Sequence, residues 1–303
     1  MPNPLEDLQA NMWVLAALGR LARQGLLDSP AAADDALAVA AQRLLIAAGL
    51  LEPDPVRPSQ SLLASLPPDV PAAAHGGLVA STLQLAGTLA GGDPAVWSPE
   101  DPETIRSYGL VSGIAVNHVL RRVLANVPGF PNRLDRPGAA FLDVGVGAAG
   151  ISIELCRRHP SLKAVGLDIN PPSVRVGRDA VSAAGLTNRI EVREQSVTEF
   201  EEVAAFDLIW VPQPFLPPPV LVAALPRLHR SARPGAVVVM GLAHTAEGGL
   251  LGAAGDVQYL MLGGGRMSPG TAGQLLEDAG FLDVRVMTFF GTPLMVARRR
   301  EVD

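Results

Sequence analysis

A chain of 303 residues, 48% hydrophobic and 18% charged, is long enough for one large α/β unit with a smaller unit attached, and no apolar run in it approaches the ~20 residues of a membrane-spanning helix. The formal net charge of -6 leaves no basic footprint for nucleic acid. Cys156 is the only cysteine, which excludes an internal disulfide and a cysteine metal cluster, and the start MPNPLEDLQ lacks a basic region followed by an apolar core, so the expected location is cytoplasmic.

Leu5 to Gln24 places Trp13, Val14, Ala17, Leu18 and Leu21 at helical spacing, and Gly25 follows as a stop. Trp13 and this leucine stripe read as core or as contacts in a homodimer. Ser29-Pro30, a cap residue followed by a proline suited to a first turn, opens a second helix presenting Leu37, Ala40, Leu44, Leu45 and Ala48. Pro53 to Pro71 holds six prolines and reads as a connector with at most a short helix. His75 to Ala90 is Gly- and Ala-rich and helical, and Ser98-Pro99 opens a further helix toward Val127. Residues 1–97 are therefore assigned to a helical unit that covers substrate or forms a dimer, and residues 98–303 to a second domain.

From Ala139 the pattern alternates strand and helix, the signature of a doubly wound parallel sheet. Strands are expected at Ala140 to Val144, Ala164 to Ile169, Ile190 to Glu194, Asp207 to Val211 and Ala236 to Gly241. Pro171 to Ala184 follows Asn170 as its cap and ends at Gly185; Pro269 to Ala279 follows Ser268 and ends at Gly280. Val284 to Phe290 and Leu294 to Arg298 are joined so tightly that they must run antiparallel.

The segment from Phe141 to Gly150 is a strand running into a glycine turn and then a helix. Gly145 and Gly147 remove side chains where the backbone must turn and approach a ligand, and Gly150 lets the helix pack near the strand. Gly145-x-Gly147-x-x-Gly150 alone fits a dinucleotide as well. Asp143, at the strand end ahead of the glycines, can attract an ammonium group directly or through water and repels a pyrophosphate. Asp168, 25 residues further on, can accept both hydroxyls of a ribose.

Asp143-x-Gly145-x-Gly147, Gly166-Leu-Asp168, Phe206-Asp207-Leu-Ile-Trp210, Arg233-Pro-Gly235-Ala-Val-Val-Val239 and Ala279-Gly280-Phe281 resemble the successive motifs of class I S-adenosylmethionine (SAM)-dependent methyltransferases, over roughly Ser98 to Arg299. The resemblance implies a Rossmann-like seven-stranded sheet with its last strand antiparallel, and SAM as cofactor. It further implies that Asp143, Gly145 and Gly147 meet the methionine part, Asp168 the ribose and Ile169 the adenine, with Ser196 and Val197 along the adenine edge. Tyr108, Ser112 and Asn117 are expected toward the cofactor carboxylate. Two departures stand out: the position that is often a third glycine is Ala149, and an acidic residue usual near Ser196 is absent.

The helical unit and the carboxyl-terminal half resemble small-molecule O-methyltransferases, although Pro53 to Pro58 stands where their turn-strand-turn wing usually lies. Trp210 to Pro219 is a stiff, apolar, proline-fixed loop expected to wall a partly apolar small-molecule acceptor. The resemblance implies a histidine base in this loop; this chain has Gln213, which cannot take a proton. His244, after the fifth strand, is the remaining base candidate, with His118 behind it, while His159 and His229 read as solvated surface residues. No Asp/His cluster has ligand spacing, so no metal is expected. The alternatives are an NAD(P)-dependent oxidoreductase, disfavoured by Asp143, by the closing hairpin and by the lack of a Tyr-x-x-x-Lys pair, and a non-catalytic SAM-binding protein.

Overall fold

The computed structural model describes residues 4–65, 72–91, 97–130, 132–243, 248–289 and 292–301. Helix α1 (Pro4–Gln24) buries Ala17, Leu21 and Ala22 against Ala38, Ala41 and Leu45 of α2 (Ala36–Ala47) and Leu51 of β1 (Leu51–Pro53). Trp13 does not join this core and is 70% exposed. The cap of α2 is Asp35, which accepts the Ala38 amide at 2.9 Å, rather than Ser29. Ser29-Pro30 lies instead in a segment tacked down by buried Gln42, which donates to the carbonyls of Leu26 (2.9 Å) and Ser29 (2.7 Å) and accepts from the Ala31 amide (2.9 Å). A carboxylate next to the apolar run outcompetes the earlier serine because a long-range contact takes the serine's segment elsewhere.

The proline-rich connector is not featureless. β1 pairs antiparallel with β2 (Val56–Pro58), and α3 (Gln60–Ser65) follows. Pro53 and Pro58 fall at strand ends of a two-stranded ladder, where a missing amide costs little, and Pro55 lies in the turn between them; a small wing is therefore present where the sequence reading had it replaced. Helix α4 (Ala72–Ala90) lies against α1 and against α5 (Pro102–Ala125). Helix α5 starts later than Ser98-Pro99 suggest, because Asp101 caps it by accepting the amides of Glu103 (3.2 Å) and Thr104 (3.1 Å).

Seven strands follow: β3 (Ala140–Val144), β4 (Lys163–Asp168), β5 (Ile190–Glu194), β6 (Phe206–Pro212), β7 (Ala232–Gly241), β8 (Leu282–Phe289) and β9 (Thr292–Arg298). Their order is β5-β4-β3-β6-β7-β9-β8, parallel except that β9 runs antiparallel to both β7 and β8. The closing hairpin is as expected; Phe290 lies outside the described residues. β7 begins four residues ahead of the expected Ala236, because Ala232 pairs with Phe206 across an irregularity in the ladder.

Helices cover both faces: α6 (Gly150–Arg158), α7 (Pro171–Ala183), α8 (Pro218–Ser231), α9 (Gly249–Met261) and α10 (Pro269–Asp278). Period-two alternation divides the strands between two cores. Phe141, Leu208, Val237 and Val239 face α5, α6 and α7, whereas Leu142, Ile209, Val238 and Met240 face α8 and α10. The sheet order reverses between β3 and β6, and the crevice beyond the carboxyl ends of these strands is where such sheets hold ligands.

Candidate active site

Two glycines with left-handed backbones, Gly145 (φ +67°) and Gly147 (φ +52°), carry the chain out of β3. A Cβ on Gly147 would enter open space, and one on Gly145 would touch only Pro212 at 3.4 Å, so the turn shows bare backbone to a cavity. Ala149, the cap of α6, also adopts a positive φ of 58°. This is the position of the often-found third glycine, and the chain tolerates the strain with the smallest side chain available. Gly150 serves a contact the sequence reading did not assign: a Cβ there would lie 1.8 Å from the Gly109 carbonyl oxygen, so its absence admits α5 rather than a strand.

The two aspartates at the strand ends occupy different environments. Asp143 is buried beneath the turn, and its Oδ2 accepts the Ser152 hydroxyl at 2.7 Å. Burial pushes its carboxyl up to about 7 against the downward pull of the Ser152 hydroxyl and amide. It does not line the cavity. Asp168 does line the cavity, with Oδ2 accepting the Gly147 amide and Oδ1 the Asn170 amide, both at 2.9 Å. Burial raises its carboxyl too, opposed by these amides. Ile169 beside it is 73% exposed and forms part of the wall, as do Ser196 and Val197. The Ser196 hydroxyl is engaged with Thr198 at 2.8 Å.

The cavity measures about 1060 Å³, at the upper end of ligand pockets and roomy enough for two molecules. Pro212, Pro214, Phe215, Leu216 and Pro217 form the expected proline wall. Facing it, Trp97 and Tyr108 complete an aromatic cluster with Phe215, ring centroids 5.1 to 6.4 Å apart. The Tyr108 hydroxyl is paired with Ser81 of α4 at 2.9 Å, so Tyr108 joins the helical unit to the cavity instead of presenting a free hydroxyl. Burial raises its phenol, and Ser81 opposes the rise. Trp97 and Ser81 escaped the sequence reading, because neither belongs to a motif: Trp97 reaches the cavity from the segment ahead of α5, and Ser81 backs Tyr108 only once α4 packs on α5.

Gln213 is fully buried and does not line the cavity, and its amide nitrogen donates to the carbonyls of Gly264 (2.9 Å) and Gly265 (3.4 Å) while Oε1 has no partner among the described residues. A proline on each side fixes the backbone that points it inward. His244 lies outside the described residues, as do the side chains of Asn117 and His118. His159 sits 2.6 Å from the Asp135 carboxylate, and His229 is half-buried, edge-on to Phe281 at 5.0 Å. Among the described residues no group of three or more His, Cys, Asp or Glu could hold a metal.

Residues 141–235 match the family model of a methyltransferase domain. Methyltransferase ungE' of Aspergillus campestris is 34% identical over 104 residues, 32% of this chain and 30% of that protein. Ribosomal RNA small subunit methyltransferase H of Kineococcus radiotolerans is 46% identical over 43 residues, 14% of this chain and 11% of that protein. The chain thus covers less than a third of these curated relatives. Solved structures align over nearly the whole length. An O-methyltransferase family protein from Burkholderia thailandensis superposes with a TM-score of 0.70 at 16% identity, covering 100% of both chains. Human N-acetylserotonin methyltransferase, in complex with SAM, superposes with a TM-score of 0.70 at 17% identity, over 98% of this chain and 96% of the other. The chain therefore has the class I methyltransferase fold, and the segment of it that carries the glycine turn and both aspartates matches the methyltransferase domain.

Proposed function

We propose that the protein is a SAM-dependent methyltransferase acting on a small, partly apolar molecule, with residues 98–303 binding SAM and residues 1–97 covering the acceptor. The observation that carries this reading is Asp168, held by two amides at the cavity edge between the open glycine turn and exposed Ile169. Its carboxylate keeps lone pairs for a ribose diol, Ile169 offers an apolar face to adenine, Ser196 and Val197 border the base, Gly145 and Gly147 leave backbone free to approach the methionine part, and Gly150 at the cavity edge lets α5 close against the turn. Asp143 behind the turn favours a cation over a pyrophosphate, which tells against a dinucleotide.

Bound SAM would supply a methyl group already activated on a sulfonium. The task left to the chain is to align the acceptor and exclude water, which suits the proline wall and the Trp97, Tyr108 and Phe215 rings. A general base adds only ~10²–10⁴-fold. O-methylation is the favoured reaction, with His244, just beyond β7, proposed as the proton acceptor in place of Gln213. No helix among the described residues is long and apolar enough to cross a membrane, which accords with a cytoplasmic enzyme. Leu8, Met12 and Trp13 stand exposed on the amino-terminal half of α1, which supports a homodimer through that segment.

Calorimetric titration with SAM, its demethylated product and NADH tests the reading. SAM and the product should bind and NADH should not, and Asp168→Ala should weaken SAM by roughly tenfold or more, as expected for losing a charged hydrogen-bond partner. Binding of NADH without SAM would overturn the proposal. SAM binding without transfer of a labelled methyl to any component of a metabolite extract would instead indicate a non-catalytic SAM-binding protein.

A further inference from the structure

The glycine turn after β3 is seated from behind by glycines outside its own fingerprint. Gly109 and Gly113 lie one turn apart on α5 and face the same way. A Cβ on Gly109 would stand 2.5 Å from the Ala148 Cβ, and one on Gly113 would stand 2.9 Å from the Gly150 carbonyl oxygen. From the other side, a Cβ on Gly177 of α7 would lie 2.6 Å from the Gly147 carbonyl oxygen. Ile105 of α5, Ala148 of the turn and Val176 of α7 form a separate buried apolar cluster at this junction. Ahead of α5, the Asn170 side chain donates to the Pro99 carbonyl at 2.9 Å, while the Asn170 amide binds Asp168. The same helix sends Tyr108 and Ser112 into the cavity.

We propose that Gly109 is a positioning residue for the cofactor turn. By letting the α5 backbone rest on Ala148 and Gly150, it holds the turn where the Gly147 amide meets Asp168, and it makes the Tyr108 and Ser112 wall one rigid body with the cofactor cradle. Any side chain at 109 meets backbone and a Cβ rather than the yielding tip of a side chain, so α5 or the turn must shift. A displacement of that size at a preorganised site costs roughly 10- to 10²-fold. The inference rests on the SAM reading.

The test compares wild type with Gly109→Ala, the double variant Gly109→Ala/Ala148→Gly, and Gly87→Ala, an exposed α4 position where a Cβ meets nothing within 4 Å. Each is measured for its ligand-free thermal midpoint and for calorimetric affinity toward SAM and its demethylated product, well below that midpoint. Gly109→Ala should bind both ligands roughly 10-fold or more weakly, the double variant should recover most of the affinity, and Gly87→Ala should match wild type. A folded Gly109→Ala protein with wild-type affinity would overturn the inference, and so would a double variant that regains the midpoint without the affinity. If Gly109→Ala does not fold, Gly113→Ala, which presses the same helix on the Gly150 backbone with a smaller shift, takes its place: weakened binding of both ligands is expected, and wild-type affinity in the folded variant would overturn the inference. Failure of the wild type itself to bind SAM would remove the methyltransferase reading and this inference with it, whereas binding by wild type with no effect of these variants would remove the inference alone.

Discussion

Asp143 joins two roles in one side chain, because it supports the start of α6 through Ser152 and places a carboxyl behind the turn. An aspartate in the unfolded chain titrates near ~3.9, whereas burial pushes Asp143 up to about 7 in the fold. The folded state therefore holds this proton more tightly. The stability this group contributes is fully present below about pH 4, is lost as pH rises toward about 7, and is constant above that. In Asp143→Asn the group no longer titrates while its oxygen can still accept the Ser152 hydroxyl. The variant's thermal midpoint should fall less than that of wild type between those pH values in scanning calorimetry. Parallel profiles would mean that Asp143 stays ionised throughout. The position of this residue ahead of the glycines was legible in the sequence; its separation from the cavity was not, because that depends on how α6 lies over the end of β3.

At the level of elements, the segment after β6 and the loop after α9 are clasped together. The Gly264 amide donates to the Pro214 carbonyl at 2.9 Å, and a Cβ on Gly264 would lie 2.2 Å from the Gln213 carbonyl oxygen. The Gln213 side chain adds two donations to the same loop. Near them, Phe215 packs with Met261 and Leu262 at the end of α9. Gln213→Leu would strand two carbonyls and also remove an unpaired oxygen, so the net loss should be about 1–2 kcal/mol. Gln213→Glu, which sets an anion against those carbonyls, should lose more. Urea denaturation measures both, and an order in which Glu is the milder change would show that the clasp does not depend on the donated hydrogen bonds. The proline loop itself was legible as a stiff wall from composition. Which of its side chains face inward was not, since a single turn of extended chain reverses that choice.

Across the whole molecule, residues 4–13 at the start of α1 are exposed on every side, Leu8, Met12 and Trp13 among them, while α4 connects this unit to α5 and α9. Isolated exposed apolar residues are ordinary, whereas several gathered on one helix end mark a surface for association. Light scattering should find a dimer for the wild type, and Trp13→Glu should shift it toward monomer with little change in the ligand-free thermal midpoint of the monomeric fold. A monomeric wild type would remove the dimer proposal.

Local order along the chain is enough to specify the alternation of strands and helices, the antiparallel closing hairpin, the bare turn after β3 and the carboxylates at two strand ends. Each of these is written in residues a few positions apart, where hydrophobic period, glycine and capping chemistry act directly. Tertiary structure alone decided that Gly150 faces Gly109, that Trp97, Tyr108 and Phe215 meet across one cavity with Ser81 behind Tyr108, that Asp143 sits behind the turn while Asp168 looks into the cavity, and that Gln213 turns away from it. Those outcomes depend on contacts between residues dozens of positions apart, and such contacts exist only once the helices have packed on the sheet.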